Sequence, residues 1–274
     1  MNTQVKGQGE KSQKTNWQES LTLVNNLLLP SQEAVIVLRN NPSFDTLVSG
    51  IALSFAFKKI GRKVHIISPT PLNLETIASQ TKGKVNLNEI PGLDQVLPFL
   101  PQKQLRIVMD YSTGTFSKAE MKKSSEGLLI NLSPEQGEQP IEPLNVAIQV
   151  LDSKPDIAFL LEVENLFHLG DFYNKNQSFF KNTSIVNIDY HSNNALFGKA
   201  NLIDTKASSL SEMIALMVYD LRLALDEEIA KILYQGIKFK TDGFSANFFT
   251  ANMLEATSIC LRYQQRMPTP QQGM

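Results

Sequence analysis

Cysteine occurs once in the chain, at Cys260, so no disulfide can close within it and no thiolate cluster can hold zinc. No run of about 18 apolar residues is present, which excludes an ordinary membrane-spanning helix. An excess of charge of either sign is also missing. The 26 basic and 27 acidic side chains leave a net charge of −1, so no overall field draws the chain to nucleic acid or to an anionic membrane. Any nucleotide ligand is then small, or is held by a local cationic groove. No internal repeat or low-complexity block divides the sequence. What remains is ordinary for a soluble globular protein: 42% hydrophobic and 19% charged over 274 residues, enough for one large core. A reducing cytosol suits this composition, and a cytoplasmic location is expected. Residues 1–15, rich in Gln, Lys and Gly, read as a disordered tail, and so does the polar stretch 265–274 with Pro268 and Pro270.

The apolar residues Trp17, Leu21, Val24, Leu27 and Leu28 fall at helical spacing before Pro30. Ala34 to Leu38 is a short continuous apolar run, the pattern of a strand buried on both faces, followed by the turn residues Arg39 to Ser43. A helix from Phe44 to Ile60, Gly61 and a strand from Lys63 to Ile67 complete a β-α-β unit and imply a parallel sheet. Leu105–Met109 and Gly127–Leu132 are expected as two strands of a hairpin, and Leu144–Leu151 as a helix. Asp156–Leu161 and Ser184–Ile188 are further buried strands. Three helices are expected near 210–225, 227–239 and 248–263. The fold class that follows is α/β: one doubly wound, mainly parallel sheet over residues 16–264, with a β-hairpin insertion at about 104–140 and a helical C-terminal part. An open strand edge in that hairpin is a place for a partner to pair.

Three strand ends carry acids and bases into turns: Arg39 with Ser43 and Asp45, then Glu162, then Asp189 with Tyr190 and His191. Doubly wound sheets gather such ends at one crevice. The stretch Gly236 to Phe244, with Lys240 in it, is expected to break a helix and cover that crevice. His65 and His168 are read as packed or exposed side chains, and Asp110, in the hairpin, has no assigned role.

Four stretches in this order resemble the motifs of the DHH phosphoesterase family, whose members include nano-RNase and 3′-phosphoadenosine 5′-phosphate phosphatases, single-strand exonucleases and manganese-dependent pyrophosphatases. Arg39-Asn-Asn-Pro-Ser-Phe-Asp45 is similar to the first motif, His-x-Asn-Pro-Asp-x-Asp, and Glu162 with Leu169-Gly170 to the second. Ile188-Asp-Tyr-His-Ser-Asn-Asn194 resembles the third, Ile-Asp-His-His-x-x-Asn. Gly236-Ile-Lys-Phe-Lys-Thr-Asp-Gly-Phe244 resembles the fourth, and Asn201-Leu-Ile-Asp204 and Ala207-Ser-Ser209 match stretches between the third and fourth.

The resemblance implies two Mn²⁺ or Mg²⁺ ions held by motif residues, yet those positions read Arg39, Ser43, Asp45, Glu162, Tyr190 and Lys240 here. Asp45 alone is unchanged and Glu162 is a conservative exchange. Asp189 and His191, which in the family orient the site and contact substrate, are retained. Two carboxylates are few for a pair of hard cations, and Arg39 and Lys240 stand where metal charge would balance the acids. A further Gly-rich, His-containing domain that grips substrate in the nano-RNase branch is not expected, since 30 residues follow Phe244. The leading expectation is a catalytically degenerate protein that needs no cofactor and binds a small nucleotide or short oligonucleotide, or a protein partner such as a second copy, and no membrane. The alternative is a phosphoesterase acting on short oligonucleotides or nucleoside phosphates. It would use Mn²⁺ or Mg²⁺ at Asp45 and Glu162, with Asp189, His191, Arg39 and Lys240 as the catalytic set.

Overall fold

Short runs of β-branched residues alternate with capped helices along the first third of the chain. In the computed structural model these become α1 (Trp17–Leu28), β1 (Glu33–Leu38), α2 (Phe44–Lys59), β2 (Lys63–Ile67), α3 (Leu74–Gln80) and the two-residue β3 (Val96–Leu97). The structure describes residues 16–81, 87, 90–100, 104–111, 116–125, 127–137, 143–151 and 155–264. Both expected tails lie outside the described residues. Four strands follow, β4 (Gln104–Tyr111), β5 (Phe116–Ser124), β6 (Gly127–Pro134) and β7 (Pro143–Leu151). The alternation then resumes with β8 (Ile157–Leu161), α4 (Asp171–Lys175), α5 (Gln177–Asn182), β9 (Ser184–Asp189) and β10 (Ala200–Ile203). It ends with α6 (Leu210–Asp220), α7 (Glu227–Lys240) and α8 (Ala251–Gln264).

The chain divides into two compact units, residues 1–100 with 154–274, and residues 101–153. The first is built on a six-stranded parallel sheet of order β10-β9-β8-β1-β2-β3. Strand β1 is central, and its period-two alternation feeds two cores. Ala34, Ile36 and Leu38 join the larger, built with α1, α2, α6, α7 and α8, while Val35 and Val37 join the smaller, with Phe172 and Phe180 of α4 and α5. Helices therefore cover both faces, as a doubly wound α/β fold requires. Each fully buried aliphatic side chain of β1 contributes about 1.5–3 kcal/mol. Chain order reverses between β1 and β8, so the loops leaving their carboxyl ends, from Arg39 and from Glu162, diverge and open a crevice there.

The second unit differs from the expectation. Strand β4 pairs antiparallel with β7, and β5 with β6, forming two two-stranded ribbons in place of one hairpin of 105–109 with 127–132. Residues 144–151 are strand, not helix, because Val146, Ile148 and Val150 alternate with Asn145, Ala147 and Gln149. That period of two and its β-branched residues favour a pleated strand.

Helix α7 runs to Lys240, one residue past the expected 227–239, and the chain turns at Asp242 and Gly243, both left-handed, within the stretch expected to break it, whereas Gly236 lies inside the helix. Gly236 instead marks a close approach: a Cβ there would lie 1.9 Å from Ser211 Oγ and 2.9 Å from Val48 Cγ2. Gly236→Ala should cost about 1–3 kcal/mol by overpacking, outweighing the gain of about 1 kcal/mol in helix propensity. A lower denaturant midpoint at unchanged m-value is the expected measurement.

Candidate functional site

Ser43 caps α2, its hydroxyl accepting from Thr46 N, and this places Asp45 and Thr46 in the first helical turn below the mouth of the crevice. Asp45 is fully buried. Its Oδ2 accepts from Leu210 N at 2.7 Å, and its Oδ1 from Ser211 N at 3.0 Å and Ser211 Oγ at 2.5 Å. The carboxylate thus takes up two of the free N–H groups at the start of α6, where the helix dipole favours a negative charge. Burial, and next the nearby charge of Glu162, push its carboxyl up to about 6 against these hydrogen bonds.

Glu162 ends β8 in a left-handed conformation with φ 55°, which for a non-glycine residue costs about 1 kcal/mol or more. What holds it is a set of bonds on all sides. Its N–H donates to Ile188 O at 3.0 Å, Thr46 Oγ1 donates to Oε2, and the Tyr190 hydroxyl donates to Oε1. Burial and the adjoining Glu162 carboxylate push the Tyr190 hydroxyl well above its ordinary pKa, so it remains a donor.

Beyond β9, Asp189 Oδ1 accepts from Tyr190 N at 2.8 Å, His191 N at 3.2 Å and His191 Nδ1 at 2.6 Å, and Oδ2 accepts from Asn194 Nδ2 at 2.6 Å. With Nδ1 committed to a carboxylate, Nε2 is the imidazole atom left for a ligand. The His191 ring stacks on Tyr190 at 4.8 Å between centroids, and Lys240 Nζ lies 5.4 Å from the Tyr190 centroid. Arg39 is close enough to favour the Tyr190 phenolate electrostatically. The eight positions singled out in the sequence therefore meet through contacts centred on Tyr190, Glu162 and Asp45. Among the described residues neither Arg39 nor Lys240 has a carboxylate partner, whereas every oxygen of Asp45, Glu162 and Asp189 already accepts from a protein donor.

Sequence reasoning missed the partners. Thr46, Ser211 and the Leu210 N–H complete the carboxylate network, and only Thr46, beside Asp45, carried a local signal. Asn194, the last residue of the third motif, also donates to Asp189 and accepts from Asn187 Nδ2 at 2.9 Å and Leu196 N. His65 lies outside the cluster, its Nε2 3.1 Å from Glu33 Oε1. Among the described residues no three His, Cys, Asp or Glu side chains converge to hold a metal ion, and no helix is long and apolar enough to cross a membrane.

The fold is a doubly wound α/β sheet with the clustered acids and bases at its carboxyl edge. No family model matches the chain. Over 87 residues, 32% of this chain and 28% of the relative, it is 31% identical to the "Probable bifunctional oligoribonuclease and PAP phosphatase NrnA" of Streptococcus mutans. The crystal structure of an exopolyphosphatase-related protein from Bacteroides fragilis shares the fold, with a TM-score of 0.59 at 14% identity, over 91% of this chain and 58% of that one. The chain matches under a third of the length of the curated relative and a little over half of the solved protein. The solved structure shows the fold alone, and the partial sequence match agrees with the resemblance of the four motifs to the DHH phosphoesterases.

Proposed function

We propose that this protein binds a phosphate-bearing nucleotide or short oligonucleotide in the crevice between β1 and β8 and does not hydrolyse it. One observation carries the reading: the oxygens of the surviving acids are consumed internally, while Arg39 and Lys240 have no carboxylate partner among the described residues. Hard divalent cations take about six ligands each, mostly oxygens. Here all four oxygens of Asp45 and Glu162 accept from Leu210, Ser211, Thr46 and Tyr190, so the residues present do not fit a two-metal centre. Opening that network would expose buried donors at about 1–3 kcal/mol each. Arg39, Lys240 and His191 Nε2 are left as the groups that face a ligand, and their charge and donor capacity suit an oxyanion. The curated relative named above, an oligoribonuclease and PAP phosphatase, supports nucleotide phosphate as the ligand class.

The purified chain is expected to show no Mn²⁺-dependent hydrolysis of dinucleotides or of 3′-phosphoadenosine 5′-phosphate above a metal-free control, while binding either in the absence of metal. Metal-dependent turnover lost in Glu162→Gln would replace this reading with that of a phosphoesterase.

A further inference from the structure

On the rim of the crevice, Phe167 is 77% exposed, more than any other large hydrophobic side chain among the described residues. Its exposure does not come from a loose loop. It lies on the 3₁₀ turn Leu166–Leu169, capped by Asn165, whose side chain accepts from His168 N at 3.2 Å. Gly170 N donates to Phe167 O at 2.9 Å, Ala195 N to Glu164 O at 2.8 Å, and Asn193 Nδ2 to Glu164 Oε2. From the other side of the crevice, Asn40 Nδ2 donates to His168 O at 2.6 Å. The ring itself meets the edge of Tyr173, with centroids 5.6 Å apart and planes at 79°, so a neighbouring aromatic steadies it from one side.

The Asn40 bond also fixes where Phe167 stands relative to the cations. Arg39 precedes Asn40, and Phe167 precedes His168, so two backbone steps and one side-chain hydrogen bond separate Arg39 from Phe167. That path holds the Cα atoms of Arg39 and Phe167 within roughly 16 Å of each other, a span on the order of a dinucleotide. A fixed, solvent-facing aromatic whose backbone lies about a dinucleotide's length from that of Arg39, a cation without a carboxylate partner among the described residues, is suited to single-stranded nucleic acid: charge takes the backbone and a π-face takes a base.

We propose that Phe167 is a stacking platform for a nucleobase whose phosphate is held by Arg39 and Lys240. This rests on the nucleotide-binding reading above and adds the subsite that recognises the base. Stacking uses a face that every base has, so the platform selects nucleotide over bare phosphate without selecting a sequence.

The test titrates the full chain, by calorimetry without divalent metal, with two probes: ribose 5-phosphate, which lacks a base, and the 5′-phosphorylated diadenylate. Unmodified protein should bind the diadenylate at least about tenfold more tightly. Phe167→Ala should weaken diadenylate binding by between about fivefold and a hundredfold and leave ribose 5-phosphate unchanged, while Phe167→Trp should retain the diadenylate affinity. Equal diadenylate affinity in Phe167→Ala and unmodified protein overturns the platform and leaves the nucleotide reading standing. Equal weakening of both probes marks a structural effect of the substitution and also overturns it. If neither probe binds the unmodified protein, the nucleotide reading itself fails, and the platform with it.

Discussion

Asp45→Ala is expected to cost about 3–5 kcal/mol of folding stability, measured by denaturant unfolding and equal with and without divalent cation. The substitution strands the Leu210 and Ser211 N–H groups and the Ser211 hydroxyl in a buried site, at about 1–3 kcal/mol for each buried donor left unmade. A carboxylate kept only to coordinate metal behaves in the opposite way. Beside Glu162 it would repel a like charge in the metal-free protein, and its removal would be neutral or stabilising. Asp45→Asn keeps one acceptor oxygen and sheds the buried charge, so it should cost less than alanine. A stable Asp45→Ala protein that loses ligand binding alone would contradict the structural role of Asp45 argued from its three bonds.

Saturating Mn²⁺ should leave the melting temperature of the unmodified chain unchanged, since a divalent cation brought within about 4 Å of fixed positive charges is opposed by several kcal/mol even at an effective dielectric near 20. The combined variant Arg39→His, Ser43→Asp, Tyr190→His and Lys240→Asp should behave differently. Tyr190→His frees Glu162 Oε1, Ser43→Asp keeps a side chain able to cap α2, and the two cations are gone. Metal at 100 times its dissociation constant would then add about 2.7 kcal/mol, a rise in melting temperature of roughly 5–10 °C for a chain of this size. Of the single substitutions, Tyr190→His should destabilise, because it leaves the buried Glu162 Oε1 without its donor. A large Mn²⁺-induced shift in the unmodified chain would sink the metal-free reading.

The parallel sheet was legible because β1 and β8 are nearly continuous apolar runs buried on both faces, and β2 and β9 are short and rich in Val and Ile. Strand β7 was less legible because Asn145 and Gln149 interrupt its apolar residues four apart, a spacing that fits a helix as well as the alternation of a strand. Strand β10, with four residues, and the short helices α4 and α5 carry too few periods to register. At the site, Asp45, Glu162, Asp189 and His191 stood out as acids and bases delivered by strand ends. Their partners did not. Backbone N–H groups have no sequence signature, and Leu210 lies 165 residues from the carboxylate it satisfies. Tyr190 could be seen to replace a metal ligand, but only the geometry joins its hydroxyl to Glu162.

The central place of β1 has a consequence for how the chain must be made. One edge of β1 is covered by β2 within about 30 residues of synthesis, but the other waits for β8, which begins about 120 residues after β1 ends. At translation rates of about 5–20 residues per second, that edge stays open for about 6–24 s. In that interval the four strands of residues 104–151 leave the ribosome, each with free backbone groups of its own. They pair among themselves, β5 with β6 as neighbours in sequence, with Ser124 opposite Gly127, which is faster than closing a long loop to β1. Early local pairing withdraws those strands from competition, and the edge of β1 stays vacant for β8.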